Sequence, residues 1–271
     1  MWLDSQAIVL AGQKLGESDT VVTLLTLERG LLKGVAKGAR RMKSRFGGAI
    51  QPFTYGQAVL FERRAAGLRS LNHFDPIHSF QRLREEFDRL NDAAVLANAA
   101  RRLLPEDQPA PDAFATLLKA FRSLEGGRDR DGGALCWALL ALLQAAGYQP
   151  RVDRCLAGRH GPRTGAASGR WLFVPHLGGA VCPSCGLDAA SGPTGQAAAF
   201  PMTPGAHALL RQALRMPPAL RSRLSAEAAT IREVKALLEA SIIERGRRLV
   251  KRPVPDRSGG RPVNVREPRH V

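Results

Sequence analysis

The chain has 271 residues, of which 40 are Lys or Arg and 24 are Asp or Glu, so its formal net charge is +16 at pH 7. This charge indicates a polyanionic partner, for which nucleic acid is favoured over an anionic membrane surface. No apolar run reaches the roughly 18 residues of a membrane span, the N-terminus lacks the pattern of a secretory signal, and the four cysteines suit a reducing cytoplasm better than a disulfide framework.

The first part of the chain alternates short apolar segments with glycine-rich connections. Segments rich in β-branched or apolar residues occupy 7–10, 20–27, 31–36, 50–62 and 68–74. About five short strands in so short a stretch predict a small closed or partly open barrel. The OB-fold is the common barrel of this size that binds single strands, so we assign residues 1–78 to an OB-fold DNA-binding domain.

Residues 29–61 carry seven cations and no carboxylate. The glycines among them favour turns and loops between strands over a helix. Cations on such loops suit a phosphate backbone, because each neutralised phosphate releases condensed counterions. The alternative is a solvated charged loop that binds nothing. The candidate DNA-contacting residues of this stretch are Lys33, Lys37, Arg40, Arg41, Lys43 and Arg45.

Three aromatic residues, Phe46, Phe53 and Tyr55, follow closely on these cations. Aromatic side chains of single-strand-binding barrels stack on bases, so each of the three is a candidate stacking residue. The alternative, which we favour for each of them, is packing in the core.

Helical patterns begin after the barrel and form a domain in two parts, 79–148 and 203–252. In the first part, the predicted helices that follow the opening segment cover 96–104, 113–124 and 134–146. The helix over 134–146 is apolar on almost all sides, which predicts a central place in the core. In the second part, Thr203 is a predicted N-cap, and a long helix is predicted over 226–250.

The opening of the helical domain has a regular apolar pattern. Phe80, Leu83, Phe87 and Leu90 are spaced i, i+3, i+7 and i+10. This spacing predicts one continuous helix that buries these four side chains on one face.

The long C-terminal helix ends in a run of cations. The helix dipole favours cations at this end, which is the simpler explanation. The run is longer than the dipole requires, so we also consider a second phosphate contact or a dock for an acidic peptide tail. The candidate residues are Arg245, Arg247, Arg248 and Lys251. Residues 253–271, dominated by Pro, Gly, Arg and Asp, predict a disordered basic tail that adds nonspecific DNA affinity.

Residues 149–202 predict an insertion of a different character, rich in Gly and Pro and with little helical periodicity. Its Cys182-Pro-Ser-Cys185 motif is one half of a zinc site, because a two-residue gap lets both thiolates reach one tetrahedral metal ion. A catalytic redox pair is disfavoured, since such a pair normally opens a helix in a βαβ unit.

Several segments stand in an order that one known family shares. They are Ala7-Ile-Val-Leu, Gly16-Glu-Ser-Asp19, Leu24-Leu-Thr26, Glu28-Arg-Gly30, Val35-Ala-Lys-Gly-Ala-Arg40, Lys43-Ser-Arg-Phe46 and Gln51-Pro-Phe53. In these segments the chain resembles the RecO family of bacterial recombination mediators. The resemblance runs nearly without gaps from residue 7 to about residue 62. Beyond residue 80 it lies in the arrangement of the segments more than in matching residues.

The resemblance implies an α+β multidomain protein, with an OB-fold followed by a helical domain that carries a zinc-ribbon-like insertion. It implies binding of single- and double-stranded DNA, annealing of complementary strands, and help in loading recombinase onto strands coated by single-strand-binding protein. The implied partners are the ring-forming mediator RecR and the acidic C-terminal tail of single-strand-binding protein. We therefore expect a non-enzymatic DNA repair protein of the RecF pathway that is cytoplasmic and nucleoid-associated.

The resemblance also implies a second cysteine pair beginning at Cys155, but Gly158 stands where its partner is expected. His160 is the expected fourth ligand, and His176 is the alternative. Two readings stay open, one structural zinc ion or a degenerate site without metal. The predicted ligands are Cys155, His160, Cys182 and Cys185.

Residues with a catalytic spacing are not evident in the sequence. The six histidines are scattered and no Gly-x-x-x-x-Gly-Lys-Ser/Thr loop occurs, so we expect neither catalysis nor nucleotide use. Glu17 and Asp19 suggest a metal pair, but carboxylates in a turn are more often surface residues. Two other classes stay open, a non-catalytic protein adaptor with little DNA binding and a metal-dependent nuclease.

Overall fold

In the computed structural model, the described residues are 1–62, 69–127, 132–158, 171–183, 185 and 199–250, without the side chains of 248–250. The strands are Trp2–Leu15 (β1), Asp19–Thr26 (β2), Gly30–Ala36 (β3), Tyr55–Phe61 (β4), Arg69–His78 (β5), Trp171–Val174 (β6), Gly179–Val181 (β7) and Phe200–Met202 (β8). The α-helices are Arg82–Glu85 (α1), Phe87–Leu103 (α2), Pro111–Glu125 (α3), Gly133–Ala145 (α4), Pro204–Arg215 (α5) and Ala228–Val250 (α6).

The first five strands close into a barrel in the order β1-β2-β3-β5-β4, which confirms the predicted OB-like fold. β1 is long enough to serve two neighbours, because its first half pairs with β4 and its second half with β2. The register shifts between Val9 and Ala11. Such an irregularity bends a strand and increases its twist, which helps the sheet to close.

The barrel interior is filled from its strands and from the connection between β3 and β4. Inward-facing side chains such as Val22, Leu24 and Leu60 are fully buried. Phe46 and Ile50 from the connection join the same apolar cluster. The connection is therefore held against the barrel by its own apolar residues.

The helices pack around α4, as its apolar composition predicts. α4 contacts α2, α3 and α6, and most of its side chains are buried. The second part begins as predicted at Thr203, whose hydroxyl accepts a hydrogen bond from the Ala206 amide at 3.2 Å. A 3-10 helix at Pro218–Arg223 connects α5 toward α6.

The prediction of one continuous helix over Phe80–Leu90 was wrong. The chain turns at Glu86, which has extended dihedral angles and separates α1 from α2. Phe80 and Leu83 are fully buried, but Phe87 is 81% exposed. The i, i+7 spacing fails because the break rotates the second half of the pattern out of the core.

Aromatic side chains join the barrel to the helices. The Phe53 ring lies 5.3 Å from that of Phe121, and the Tyr55 ring lies 6.2 Å from that of Phe114. Arg84 adds a polar link, because its guanidinium donates to the carbonyl oxygen of Pro52 at 2.9 Å. One side of the barrel and the helical bundle thus share an apolar core, which is separate from the cluster inside the barrel.

The segment between α4 and α5 contributes a small antiparallel sheet in the order β7-β6-β8. It is tied to the chain before it, since the amide of Ala180 donates to the carbonyl oxygen of Arg151 at 2.8 Å. Within the described parts of the chain, no helix has the length and apolarity that a membrane crossing requires.

Candidate nucleic-acid interface and metal centre

Residues 37–54, which we call the basic loop, connect β3 to β4 as a series of turns. The loop has an apolar side and a cationic side. Phe46 is only 3% exposed and packs into the barrel with Ile50. All five cations of the loop are exposed to solvent, and they are Lys37, Arg40, Arg41, Lys43 and Arg45. The loop therefore presents its charge outward from a fixed base.

Asp19 fixes the start of the basic loop. Its carboxylate accepts hydrogen bonds from the Gly38 amide at 2.8 Å and from the Ser18 hydroxyl at 2.9 Å. The hydrogen bond from Gly38, aided by Ser18 and by nearby cations, holds the pKa of Asp19 below its ordinary value. Gly38 has a positive φ of 67°, a conformation that favours glycine. Asp19 therefore orders the start of the loop. These hydrogen bonds explain the carboxylate in this turn as a structural residue.

Arg40 and Arg45 also contact other residues of the protein. The Arg40 guanidinium donates to the carbonyl oxygen of Gly16 at 3.2 Å. The Arg45 guanidinium lies 5.0 Å from the centre of the Phe46 ring. Both contacts leave the side chains exposed, so they orient the charges without removing them from solvent.

Lys33 lies apart from the basic loop. Its ammonium group lies 2.5 Å from the carboxylate of Glu106, in the connection between α2 and α3. The same ion pair lines a cleft of about 230 Å³ that also contains Arg101 and Arg102 from the end of α2. Sequence reasoning missed these two arginines, although two adjacent cations at a helix C-terminus are a visible signal.

The aromatic residues predicted as alternatives for stacking lie in the interior. Phe46, Phe53 and Tyr55 are all buried, so the structure supports core packing for each of them. The exposed aromatic of the barrel is instead Trp2, which is 59% exposed and lies 4.9 Å from the ring of Phe61. Sequence reasoning missed this pair because Trp2 precedes the segment predicted as the first strand.

The cations at the end of α6 do not share one environment. The Arg245 guanidinium lies 5.0 Å from the centre of the Tyr148 ring, and the residue is half-buried. Arg247 is exposed. The Arg248 side chain and the whole of Lys251 lie outside the described residues.

Three of the predicted metal ligands come together. The Sγ atoms of Cys155, Cys182 and Cys185 all lie within 4.8 Å of one another, and His176 is not part of this group. Cys155 reaches the cluster because the Leu156 amide donates to the carbonyl oxygen of Ala180 at 3.0 Å, next to Cys182. His160 lies outside the described residues.

The thiols of Cys155 and Cys185 have pKa values shifted in opposite directions. Burial opposes ionisation of Cys155, but hydrogen bonds from the backbone amides of Cys182, Gly158 and Ala157 outweigh it and lower the pKa of its thiol to about 7. A hydrogen bond with the Cys182 side chain, with burial and the nearby Cys155, raises the pKa of Cys185 to about 11. The surroundings thus favour the thiolate at Cys155 over the thiolate at Cys185.

This donor set fits a zinc ion. Sulfur ligands at 2.3 Å in a tetrahedron lie about 3.8 Å from one another, which the spacing of the cluster allows. Three thiolates with one nitrogen ligand are a common structural zinc set. A fourth ligand would have to come from another part of the chain, since Gly158 has no donor side chain.

A groove lies between α3, α4 and the chain that follows the 3-10 helix. Its volume is about 1150 Å³. Three exposed cations line it, Lys119, Arg122 and Arg223. Trp137 and Leu224 supply apolar surface in the same groove. A groove of this kind suits a peptide that carries both acidic and apolar side chains.

Comparison with known proteins gives matches along almost all of the described chain. The family model for the recombination protein O N terminal matches residues 1–80, and the one for the recombination protein O C terminal matches residues 84–248. A DNA repair protein RecO from Anaeromyxobacter sp. (strain Fw109-5) is 40% identical over 187 residues, which cover 68% of this chain and 71% of that protein. The DNA repair protein RecO of Heliobacterium modesticaldum is 35% identical over 247 residues, which cover 88% of this chain and 83% of that protein.

Proposed function

The chain belongs to the RecO family of DNA repair proteins, and from this premise we propose that it is a DNA-binding recombination mediator. In this proposal it binds single- and double-stranded DNA, anneals complementary strands, and helps to load recombinase onto strands coated by single-strand-binding protein. It acts in the RecF pathway, in the cytoplasm and in association with the nucleoid. It performs no chemical reaction and uses no nucleotide.

The observation that carries the proposal is the two-sided basic loop. Its five exposed cations project from a base that Phe46 and Asp19 hold in place. A preordered row of cations binds a polyanionic backbone by releasing its condensed counterions. Contacts to phosphate carry no sequence information, so the binding has little sequence preference.

Annealing follows from the same geometry. Two complementary strands repel each other through their phosphates until cations neutralise that charge. Cations on the loop contact the backbone and leave the base edges free to pair. Two loops, on one or two molecules, would bring both strands together in this state.

We propose that Lys33, Arg245, Arg247, Arg248 and Lys251 extend the DNA contact to a smaller degree than the loop. Lys33 shares its charge with Glu106. Arg245 covers the ring of Tyr148. The proposal for this group rests most on Arg247, which is exposed. The primary DNA contacts are Lys37, Arg40, Arg41, Lys43 and Arg45.

We propose one structural zinc ion, held by Cys155, Cys182 and Cys185 with His160 as the fourth ligand. A bound zinc ion supplies cross-linking of the chain and no reactivity at a closed site. The protein residues position the three sulfurs through the contacts of β7 with the segment around Cys155. The division into 1–78, 79–148, 149–202, 203–252 and a basic tail at 253–271 belongs to the same proposal.

For protein partners we propose the ring-forming mediator RecR and the acidic tail of single-strand-binding protein. The groove lined by Lys119, Arg122 and Arg223 supports the second partner. Its cations match acidic side chains, and Trp137 offers an apolar contact. This groove also favours an adaptor role as a second candidate, in which the protein contacts outweigh DNA binding.

A salt titration tests the proposed function. A fluorescent single strand is titrated with the protein at several salt concentrations, and annealing of a complementary strand is followed in parallel. Affinity that falls steeply with salt, together with faster annealing, supports the mediator function. Weak binding that does not depend on salt, with retained binding of the acidic tail, would leave the adaptor function instead.

A further inference from the structure

The outer face of the barrel carries an aromatic pair, the exposed Trp2 and the half-buried Phe61, that the basic loop does not account for. Trp2 and Phe61 are register partners on β1 and β4, and their ring centres lie 4.9 Å apart at an interplanar angle of 55°. Trp2 is 59% exposed. With the Phe61 ring packed beside it, the exposed Trp2 ring offers a flat apolar surface that is held in place.

The strand register places this pair on the same outer face of the barrel as Lys33 of β3. Phe61 pairs with Ser70, and Ser70 pairs with Val35. None of these register partners is buried, which places the row on the outside of the barrel. Strands lie about 4.8 Å apart, so three spacings put Trp2 on the order of 14 Å from Val35 along the surface.

Val35 lies between Lys33 of β3 and the start of the basic loop at Lys37. Side chains alternate along β3, so Lys33 lies on the same outer face as Val35. Lys37 begins the basic loop. The aromatic pair and Lys33 therefore share one surface, with Ser70 between them, and the basic loop begins at the end of the strand that carries Lys33.

The carboxylates near the pair are already engaged. Asp4 accepts a hydrogen bond from the Gln57 side chain at 2.6 Å. Glu62 and Asp107 share the guanidinium of Arg69, at 2.8 Å and 2.6 Å. The charge of Arg69 offsets part of the repulsion that its carboxylate partners would exert on an approaching strand.

We propose that Trp2, supported by Phe61, is a stacking platform for a base of single-stranded DNA whose backbone lies on the basic loop. This inference rests on the proposed DNA-binding function and extends it from phosphate to base. Every base has a π-face, so stacking on Trp2 tolerates any sequence. Bases in a duplex are stacked on each other, so the platform distinguishes single strands from duplex DNA.

Binding of three labelled probes by the full chain and its Trp2→Leu variant tests the proposal. The probes are a mixed-sequence single strand, an abasic strand with the same number of phosphates, and the matching duplex. We expect Trp2→Leu to weaken binding of the base-bearing strand about tenfold. Binding of the abasic strand and of the duplex, and the salt slope, stay as in wild type because no phosphate contact is lost.

Two further variants complete the test. Trp2→Phe retains a ring and restores most of the affinity. Phe87→Leu removes another exposed aromatic side chain, at the start of α2, and leaves the affinity unchanged. Circular dichroism of each variant checks that the fold is retained, which the exposure of both side chains favours.

The outcomes separate this inference from the proposed function. Equal binding of the base-bearing strand by wild type and Trp2→Leu overturns the platform and leaves the DNA-binding function in place. Equal weakening of the abasic strand also overturns it, because the lost contact is then not to a base. Failure of wild type to bind any probe refutes the function itself.

Discussion

The ammonium group of Lys33 lies 2.5 Å from the carboxylate of Glu106, although 73 residues separate them in the chain. The pair joins the third strand of the barrel to the connection between two helices. Both side chains are about half exposed, so the pair adds little to stability. Its main effect is electrostatic, because Glu106 offsets a cation on the face that we assign to DNA.

Replacing Glu106 by Gln is therefore expected to strengthen single-strand binding. The change releases Lys33 for a phosphate, so affinity rises severalfold at low salt and the slope of log affinity against log salt steepens by about 0.7. The free energy of unfolding changes by less than about 1 kcal/mol. Fluorescence anisotropy at several salt concentrations measures both quantities.

Glu227→Gln provides the control, since it removes the same charge from an exposed position before α6. If the effect came from long-range charge alone, Glu106→Gln and Glu227→Gln would bind single-stranded DNA with the same affinity and salt slope. An effect confined to Glu106→Gln assigns it to the released lysine. An unchanged slope in Glu106→Gln would exclude Lys33 from the DNA surface.

A separate prediction concerns the contribution of Asp19 to stability and its dependence on pH. Its hydrogen bond from Gly38 lowers the pKa of the carboxyl below the ordinary value of 3.8, so the unfolded chain takes up the proton first as pH falls. The stabilisation by Asp19 is complete above about pH 4 and is lost as pH falls through the folded-state pKa. We expect the difference in unfolding free energy between wild type and Asp19→Ala to be constant near neutral pH and to shrink below about pH 4.

Urea unfolding at a series of pH values measures this difference. Hydrogen exchange gives a second readout, because the Gly38 amide loses its acceptor in Asp19→Ala and should exchange faster. Glu17→Ala, in the same turn, keeps the contact between Asp19 and Gly38 and should leave that amide protected. A pH-independent difference with unchanged exchange at Gly38 would remove Asp19 as the anchor of the loop.

The cysteine cluster predicts metal binding that depends on each thiol. Cys182→Ser is expected to weaken zinc binding by at least about tenfold, since even a lost second-shell contact costs that much. Zinc displaces the proton of Cys185, whose pKa is raised to about 11, so affinity should increase as pH rises through neutrality. Competition with a chromogenic chelator measures the affinity.

Cys136→Ala is the matched control for the metal site. Cys136 is a buried cysteine of α4 and is not part of the cluster, so its replacement should leave zinc affinity unchanged. A chelator should also lower the melting temperature of wild type and of Cys136→Ala, but not that of Cys182→Ser. Wild-type protein that binds no zinc would support the degenerate site.

The groove between α3 and α4 predicts an effect on protein partners alone. Arg122→Ala with Arg223→Ala should weaken binding of an acidic peptide with an apolar end, and binding should also weaken with salt. Affinity for single-stranded DNA should change little, because the basic loop is intact. Calorimetric titration with the peptide measures the effect. Unchanged peptide affinity would place the acidic tail elsewhere on the protein.

Local patterns predicted the barrel well. β-branched segments such as 20–27 became strands, and the glycines of the basic loop became turns. The burial of Phe46 was also expected, since an aromatic residue among cations is more often a core residue than a stacking one. The apolar helix over 134–146 took the central place that its composition requires.

Features that depend on distant residues could not be predicted in the same way. The partner of Lys33 is supplied by a connection that packs across the barrel, which no local pattern encodes. The exposure of Phe87 depends on a single extended residue, Glu86, that breaks a regular helical spacing. The convergence of Cys155 with Cys182 was implied by family resemblance and not by spacing.

The most direct test of the central claim uses Arg40→Ala with Arg41→Ala in the basic loop. Its control is Arg215→Ala with Arg232→Ala, which removes the same charge from two exposed arginines of the helical domain. Single-strand affinity is measured for both variants and wild type across a series of salt concentrations. We predict that the loop variant binds more weakly, anneals more slowly and loses about 1.4 from its salt slope, while the control keeps the wild-type slope. Equal slopes for all three proteins would contradict the claim that the basic loop is the DNA-binding surface.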